Sequence, residues 1–352
     1  MGLFAGRYML LAPISSGGTG AVWRAWDVRH RRYVAAKLLH ARDAGSLLRF
    51  VREQALRIGH PHVLAPLGWA ADDDQVLLTM ELVRGGTVAQ LLADHGGLPV
   101  PYAAVLVDQL LDALTAAHSH GVVHRDVKPS NLLLAVTGRG TPSLRLADFG
   151  IAAVLGEPRL TRTTRVVGTP GYLPPEVLDG AEPDPRQDVY AAGVVAAELL
   201  TGRRPEPGTA LPEGVPDPIW HFVRAATASD PDDRLPSAAA ARTAWQAALA
   251  AARVGPIDSA DPDAVEVFDQ IGELPAGFDS AGPVPDRPTA TMPLPGPPRL
   301  APEPNGGTPQ RRTTEVPGST AAGRRRAVTV ALAVATLGAA LLAVSVIALL
   351  MR

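Results

Sequence analysis

Two short polar clusters in this chain have residue types suited to chemistry. The first is His124-Arg125-Asp126-Val127-Lys128-Pro129-Ser130-Asn131, and the second is Asp148-Phe149-Gly150. Each adjoins an apolar run: Val122-Val123 before the first, Leu132-Leu133-Leu134 after it, and alternating Leu144 and Leu146 ahead of the second. The pattern predicts short strands with acidic groups and one amide at their ends. Such oxygens suit the holding of a metal and of phosphate.

The elements that must position these groups can be read on either side. Residues 8–83 are strand-rich with one helix. Tyr8-Met9-Leu10-Leu11, Ala21 to Trp26, Tyr33 to Leu39, Val63-Leu64 and Gln75 to Val83 read as strands, and Ile14 to Gly20 is a turn of small residues. Between Gly45 and Ile58 the period changes, with Leu48, Val51, Ala55 and Ile58 on one helical face. Gly59 and Pro61 end that helix. Gly85-Gly86 marks a hinge-like break, after which the chain turns helical. Leu106, Val107, Leu110, Leu111 and Leu114 form an apolar stripe between Pro101 and Ser119. Further helices are expected over 188–201, closed by Gly202, and over 219–227 and 237–253.

Composition excludes several classes. The net charge of -2 over 352 residues gives no nucleic-acid footprint. Cysteine is absent, which removes disulfides, thiol nucleophiles and thiolate metal sites together. His118, His120 and His124 match no standard spacing of a helix-borne zinc pair.

At Val254 the composition shifts. Residues 254–323 hold 14 of the 34 prolines, so 254–326 is expected to be a disordered juxtamembrane linker. Its early part, Ile257 to Leu274, carries Val265, Val267, Phe268 and Ile271; a short helix on a partner is one reading, a solvated tail the preferred one. Residues 327–351 are 25 in a row without a charge. At about 1.5 Å per residue they exceed a hydrocarbon core of roughly 30 Å and are read as a transmembrane helix. Arg324-Arg325-Arg326 precede the span and only Arg352 follows, which predicts a cytoplasmic N-terminal portion and no external domain.

Taken in order, the motifs accumulate. The small-residue turn is followed by Lys37 at the end of Val34-Ala35-Ala36-Lys37, then Glu53, His124-Arg125-Asp126 with Asn131, Asp148-Phe149-Gly150 and Pro174-Pro175-Glu176. The series resembles the protein-kinase signature set, and over about residues 8–253 the chain is similar to bacterial membrane-anchored serine/threonine kinases of the eukaryotic-like (Hanks) type. The resemblance implies an α+β, bilobal protein-kinase-like fold, with a β-rich N-lobe (8–83) and a mainly α C-lobe (84–253), plus the C-terminal transmembrane helix. It implies ATP with Mg²⁺, Mn²⁺ being an alternative metal, and transfer of the γ-phosphate to Ser/Thr hydroxyls of cytoplasmic proteins. The rival readings are a pseudokinase, which would have lost a residue of the Lys37, Asp126 or Asp148 type, and a membrane-tethered signalling scaffold.

Roles follow from the same resemblance. The turn Ile14, Ser15, Ser16, Gly17, Gly18, Thr19, Gly20 with Val22 would bring backbone N–H groups to the phosphates. Lys37 would meet the α- and β-phosphates, held by Glu53. Asp126 would accept the substrate proton, Lys128 would offset phosphoryl charge, and Asn131 and Asp148 would hold the metal. Met80 resembles the gatekeeper, and Glu81 to Val83 the strand whose backbone meets adenine. Glu176 would pair with Arg234, Asp188 would brace the catalytic loop, and Thr169 would contact Asp126 and Lys128. Ser15 departs from the family's first glycine, and a serine restricts φ there. Phosphate on Thr161, Thr163 or Thr164 would pair with Arg125 and order the activation loop. Other implied partners are a second copy through the N-lobe and phosphothreonine-binding proteins at linker threonines such as Thr289 and Thr308.

Overall fold

The alternating pattern of the first eighty residues builds one antiparallel sheet in the computed structural model, which describes residues 2–17, 20–40, 58–73, 75–148, 169, 171–204 and 214–284. Strands β1 (Tyr8–Gly17), β2 (Gly20–Asp27), β3 (Arg32–His40), β4 (Pro66–Asp72) and β5 (Gln75–Met80) lie in the order β1-β2-β3-β5-β4. Pro13 and Pro66 fall on the two edge strands, where a missing N–H does least harm to the ladder. The Val63-Leu64 strand expected from sequence is only a bridge from Val63 to Leu146, and β4 begins two residues after it. The expected helix over 45–58 lies outside the described residues, apart from the buried Ile58.

Side-chain alternation along β3 separates the two faces of the sheet. Val34, Ala36 and Leu38 pack with Tyr8, Leu10, Trp23 and Leu77 on one face. Ala35 and Leu39 pack on the other with Leu64, Leu78, Met80 and Ala147, the last from the helical part that follows the sheet. Lys37 belongs by period to this second face. The sheet therefore aims one buried cation at the clusters identified from sequence.

The second half is helical. Helix α1 (Val88–His95) starts just after the Gly85-Gly86 break; Thr87 Oγ1 accepts from the Gln90 N–H at 3.1 Å while Gln90 Oε1 accepts from the Thr87 N–H at 2.8 Å, a reciprocal cap. Helix α2 (Val100–Ser119) buries the whole predicted stripe. It is the one helix among the described residues long and apolar enough by composition to cross a membrane, and it is the core helix of this half. The stretch 327–351 lies outside the described residues. Strands β6 (Leu132–Leu134) and β7 (Leu144–Leu146) pair beside α2, followed by α3 (Pro175–Leu178), α4 (Pro185–Thr201), α5 (Asp217–Ala226) and α6 (Ala238–Ala251). Trp245 of α6 is fully buried, its indole N–H donating to the Ala104 carbonyl at 3.1 Å.

The linker expectation is corrected over its first part. Residues 254–284 are seated on the rest of the chain, with Val265, Val267 and Phe278 buried and a short hairpin, β8 (Phe278–Asp279) and β9 (Gly282–Pro283), near their end. No helix forms here, and Phe268 alone of the apolar set is well exposed. Proline content misled because most of the prolines counted lie beyond Val284, outside the described residues.

At the end of β2, Asp27 is buried and accepts hydrogen bonds from Arg7 Nε at 3.0 Å and Nη2 at 2.7 Å, and from the Arg29 and His30 N–H groups. Burial pushes its carboxyl up, but the bonds from Arg7 and His30 outweigh that and hold it far below the usual carboxylate range. A depressed folded-state value means stability that is present above the unfolded pKa and lost as pH falls. Asp27→Asn should lower the melting temperature at neutral pH and flatten its decline below about pH 4, as followed by circular dichroism.

Candidate active site

The loop between α2 and β6 carries the first polar cluster, and a buried carboxylate shapes it. Asp188, 1 % exposed in the first turn of α4, accepts from the His124 N–H at 2.7 Å and the Arg125 N–H at 2.8 Å. His118 Nε2 lies 2.8 Å from the same carboxylate. Arg125 holds φ +65°, a left-handed conformation that disfavours a side chain by about 1–2 kcal/mol. The paired N–H groups on Asp188 fix that turn. Asp188→Asn removes one acceptor and leaves a buried N–H without a partner, at a cost of about 1–3 kcal/mol. It should also loosen the turn that carries Asp126, measurable as faster amide exchange over residues 124–126 on protein that still melts cooperatively.

His124 links the two clusters. Its Nδ1 accepts from the Asp126 N–H at 3.3 Å, which leaves Nε2 to donate to the Ala147 carbonyl at 2.9 Å. The Ala147 N–H donates to the Asn131 carbonyl at 2.9 Å. Asp148 is thereby held beside the loop, itself at φ +60°. Two non-glycine residues in the left-handed region thus sit at the same place, a concentration of strain that the surrounding hydrogen bonds maintain.

Three side chains converge on Asp126. Asn131 Nδ2 donates to its carbonyl at 2.7 Å and to Oδ2 at 3.0 Å. Thr169 Oγ1 donates to Oδ1 at 3.2 Å. Lys128 Nζ lies 2.8 Å from Oδ2 and donates to Thr169 Oγ1 at 2.7 Å. From the sheet, Lys37, 3 % exposed, donates to Asp148 Oδ1 at 2.9 Å. Glu53, Gly18, Thr19, Thr161, Thr163 and Thr164 lie outside the described residues, as do Phe149 and Gly150. Among the described residues, Asp148 is the carboxylate that meets Lys37.

The oxygens here fit a hard divalent cation. With the Asn131 amide nitrogen committed to Asp126, its carbonyl oxygen is the end left for a ligand, and Asp148 supplies a second oxygen. An apolar lining stands next to them. Ala35 and Met80 are buried in one cluster with the half-buried Val22, Leu82, Val83 and Leu133 packed against it. Ala35 and Leu133 were not singled out from sequence, although the period-2 alternation of β3 and β6 puts both on the right face. Glu81 turns its carboxylate outward, 3.9 Å from Arg145, so only its backbone is available to the lining.

The small-residue turn joins β1 to β2. Ile14 and Ser15 are exposed on β1, Ser15 opposite Val22, and the strand pairing runs out to Gly17 and Gly20. Ser15 is not among the residues with positive φ, which corrects the expected restriction: its extended backbone suits serine as well as glycine. The position that requires glycine is Gly20, at φ +122°, where a Cβ would sit 2.5 Å from the Leu38 carbonyl oxygen.

Behind the loop, Arg234 has a fully buried side chain. It donates through Nη1 and Nη2 to the two Glu176 oxygens at 2.6 and 2.7 Å, and to the Ala228 and Ser229 carbonyls. The guanidinium also stacks over the Tyr190 ring, 4.9 Å from its centroid.

A five-stranded sheet carrying a buried lysine, a helical half carrying an Asp-Lys-Asn loop, and a second aspartate where they meet define the catalytic domain of a protein kinase. Residues 8–241 match the family model described as the protein kinase domain, and the chain belongs to that family. It is similar to the serine/threonine-protein kinase PkaA of Streptomyces coelicolor, with 39 % identity over 265 residues that make up 66 % of this chain and 48 % of that protein. PknL of Mycobacterium tuberculosis is 38 % identical over 262 residues, 68 % of this chain and 64 % of the relative. PrkC of Bacillus subtilis is 33 % identical over 257 residues, 66 % of this chain and 39 % of the relative. The chain therefore spans from about two fifths to under two thirds of the length of these relatives.

Proposed function

We propose that this chain transfers the γ-phosphoryl group of ATP to serine or threonine hydroxyls of proteins. The observation that carries the reading is the convergence of Asn131, Lys128 and Thr169 on the Asp126 carboxylate. Asp126 orients the incoming hydroxyl and takes its proton. Lys128 sets a positive charge where the phosphoryl group crosses, and Thr169 keeps lysine and carboxylate in register. Lys37 leaves its pairing with Asp148 to engage the α- and β-phosphates, and the apolar lining of Ala35, Met80 and Leu133 takes the base. A divalent ion, Mg²⁺ in this reading, neutralises phosphate charge when bound, with Asn131 and Asp148 as its protein ligands.

The pseudokinase alternative is disfavoured by the joint presence of Lys37, Asp126 and Asp148. Tethering to the cell membrane with the kinase domain in the cytoplasm is supported by the uncharged stretch 327–351 and its preceding arginines. Activation by autophosphorylation at Thr161, Thr163 or Thr164, pairing with Arg125, extends the reading to regulation. The test is ATP-dependent labelling of a protein substrate by the full chain. Phosphoamino-acid analysis should return phosphoserine or phosphothreonine; phosphotyrosine alone, or no label, would refute the proposal.

A further inference from the structure

Residues 262–284 are fastened to both halves of the molecule, one anchor on either side of the connection at Arg84-Gly85-Gly86. On the helical side, Val267 exchanges two hydrogen bonds with Gly138, each 2.9 Å, and is 2 % exposed. Its side chain lies against Gly85 so closely that a Cβ on Gly85 would meet Val267 Cγ1 at 2.6 Å. At the connection, the Gln270 N–H donates to the Arg84 carbonyl at 2.7 Å, and Asp269 pairs with the Arg84 guanidinium. On the sheet side, Arg24 of β2 donates through Nη2 to the Gly272 and Glu273 carbonyls at 3.0 and 2.9 Å. Phe278, with Leu274 beside it, closes a separate apolar cluster with Leu11 and Trp26, and Tyr33 donates to the Asp279 carbonyl.

These contacts bear on the nucleotide lining. Arg84 follows directly on Leu82 and Val83, which line the apolar cluster where the base would sit. Rotation of the sheet against the helices must occur around this connection, and it would change the separation between the Gly138 and Arg24 anchors. A segment held at both would have to release one of them. Ordering such a stretch costs about 1–2 kcal/mol per residue, so its anchors stand or fall together.

We propose that residues 262–284 are a positioning strap, which fixes the backbone at 82–86 and the approach of the two halves in the arrangement that binds nucleotide. The inference rests on the kinase reading for its ligand. Strap residues touch no reacting atom; they act through Arg84 and Gly85.

The experiment uses the full chain with Val267→Asp at one anchor and Phe278→Asp at the other, beside the conservative Val267→Ile and Phe278→Leu. Amide exchange and equilibrium binding of ATP with Mg²⁺ are read on each. Either aspartate should raise exchange over both 262–284 and 82–86 by about tenfold and weaken ATP binding about three- to tenfold, with the conservative variants near wild type. A strap that only stabilised the sheet would respond at 82–86 to neither change, and strap release with unaltered hinge exchange and ATP affinity would overturn the proposal. Should an aspartate variant fail to fold, Gln270→Pro removes the single N–H donated to Arg84 and gives the same readings. A wild-type chain that binds no nucleotide would refute the kinase reading instead, and the exchange at 82–86 would still decide the strap.

Discussion

Replacing Asp126 by asparagine is expected to lower the phosphotransfer rate by about two to four orders of magnitude while leaving the fold intact. The carboxylate is partly exposed and accepts from Asn131 and Thr169, with Lys128 Nζ 2.8 Å away. An amide of the same shape keeps much of that geometry but can neither take a proton nor balance the lysine. The loss should therefore appear in kcat, with KM for ATP little changed and the melting temperature within a few degrees of wild type. Single-turnover labelling separates chemistry from product release. Equal labelling by Asp126→Asn and wild type would remove Asp126 from the mechanism, whereas a large KM effect would assign it to binding.

The largest stability effect is expected at Glu176. Its carboxylate is the anionic partner of a guanidinium whose side chain is entirely buried. Glu176→Ala leaves that charge uncompensated, a situation that costs about 3–5 kcal/mol. Against a total stability of about 5–15 kcal/mol, that is a substantial share, and chemical denaturation should show the midpoint falling with little change in slope. Arg234→Met in the same chain supplies the discriminating case. If the penalty comes from the stranded charge, the double variant should be more stable than Glu176→Ala alone. The recovery should be incomplete, because Arg234 also serves the Ala228 and Ser229 carbonyls. A double variant no better than the single one would locate the cost in those carbonyls and not in the ion pair.

The sequence made the catalytic loop legible because its chemistry is local. Asp126, Lys128 and Asn131 lie within six positions, and Asp148 is marked by the alternating run before it. Pairings across long separations, such as Asp188 with the loop and Glu176 with Arg234, were reachable only through family resemblance, since no period links residues so far apart. What stayed hidden was of two kinds. Strand β4, Pro66-Leu67-Gly68-Trp69-Ala70-Ala71-Asp72, contains proline, glycine and alanine, and its place comes from pairing with β5, which overrides weak propensity. The seat of residues 254–284 depends on grooves made by other elements, so composition alone read those residues as solvated. His118 and His124 were visible, and their spacing spoke against a zinc site; that they hold the loop follows from the positions of Asp188 and Ala147.

Where the catalytic unit stops is a consequence of the strap. The family match closes at residue 241, inside α6 and short of Trp245, whose indole fills the core beside α2. Even a fragment carried to the end of α6 would strip the cover from Leu11 and Trp26 and leave Arg24 without its two carbonyl acceptors. Such a fragment exposes an apolar patch on the sheet that the intact chain keeps covered, and self-association is the usual fate of such surfaces. A self-sufficient catalytic piece accordingly includes the segment that carries Phe278, nearly forty residues past the end of the family match.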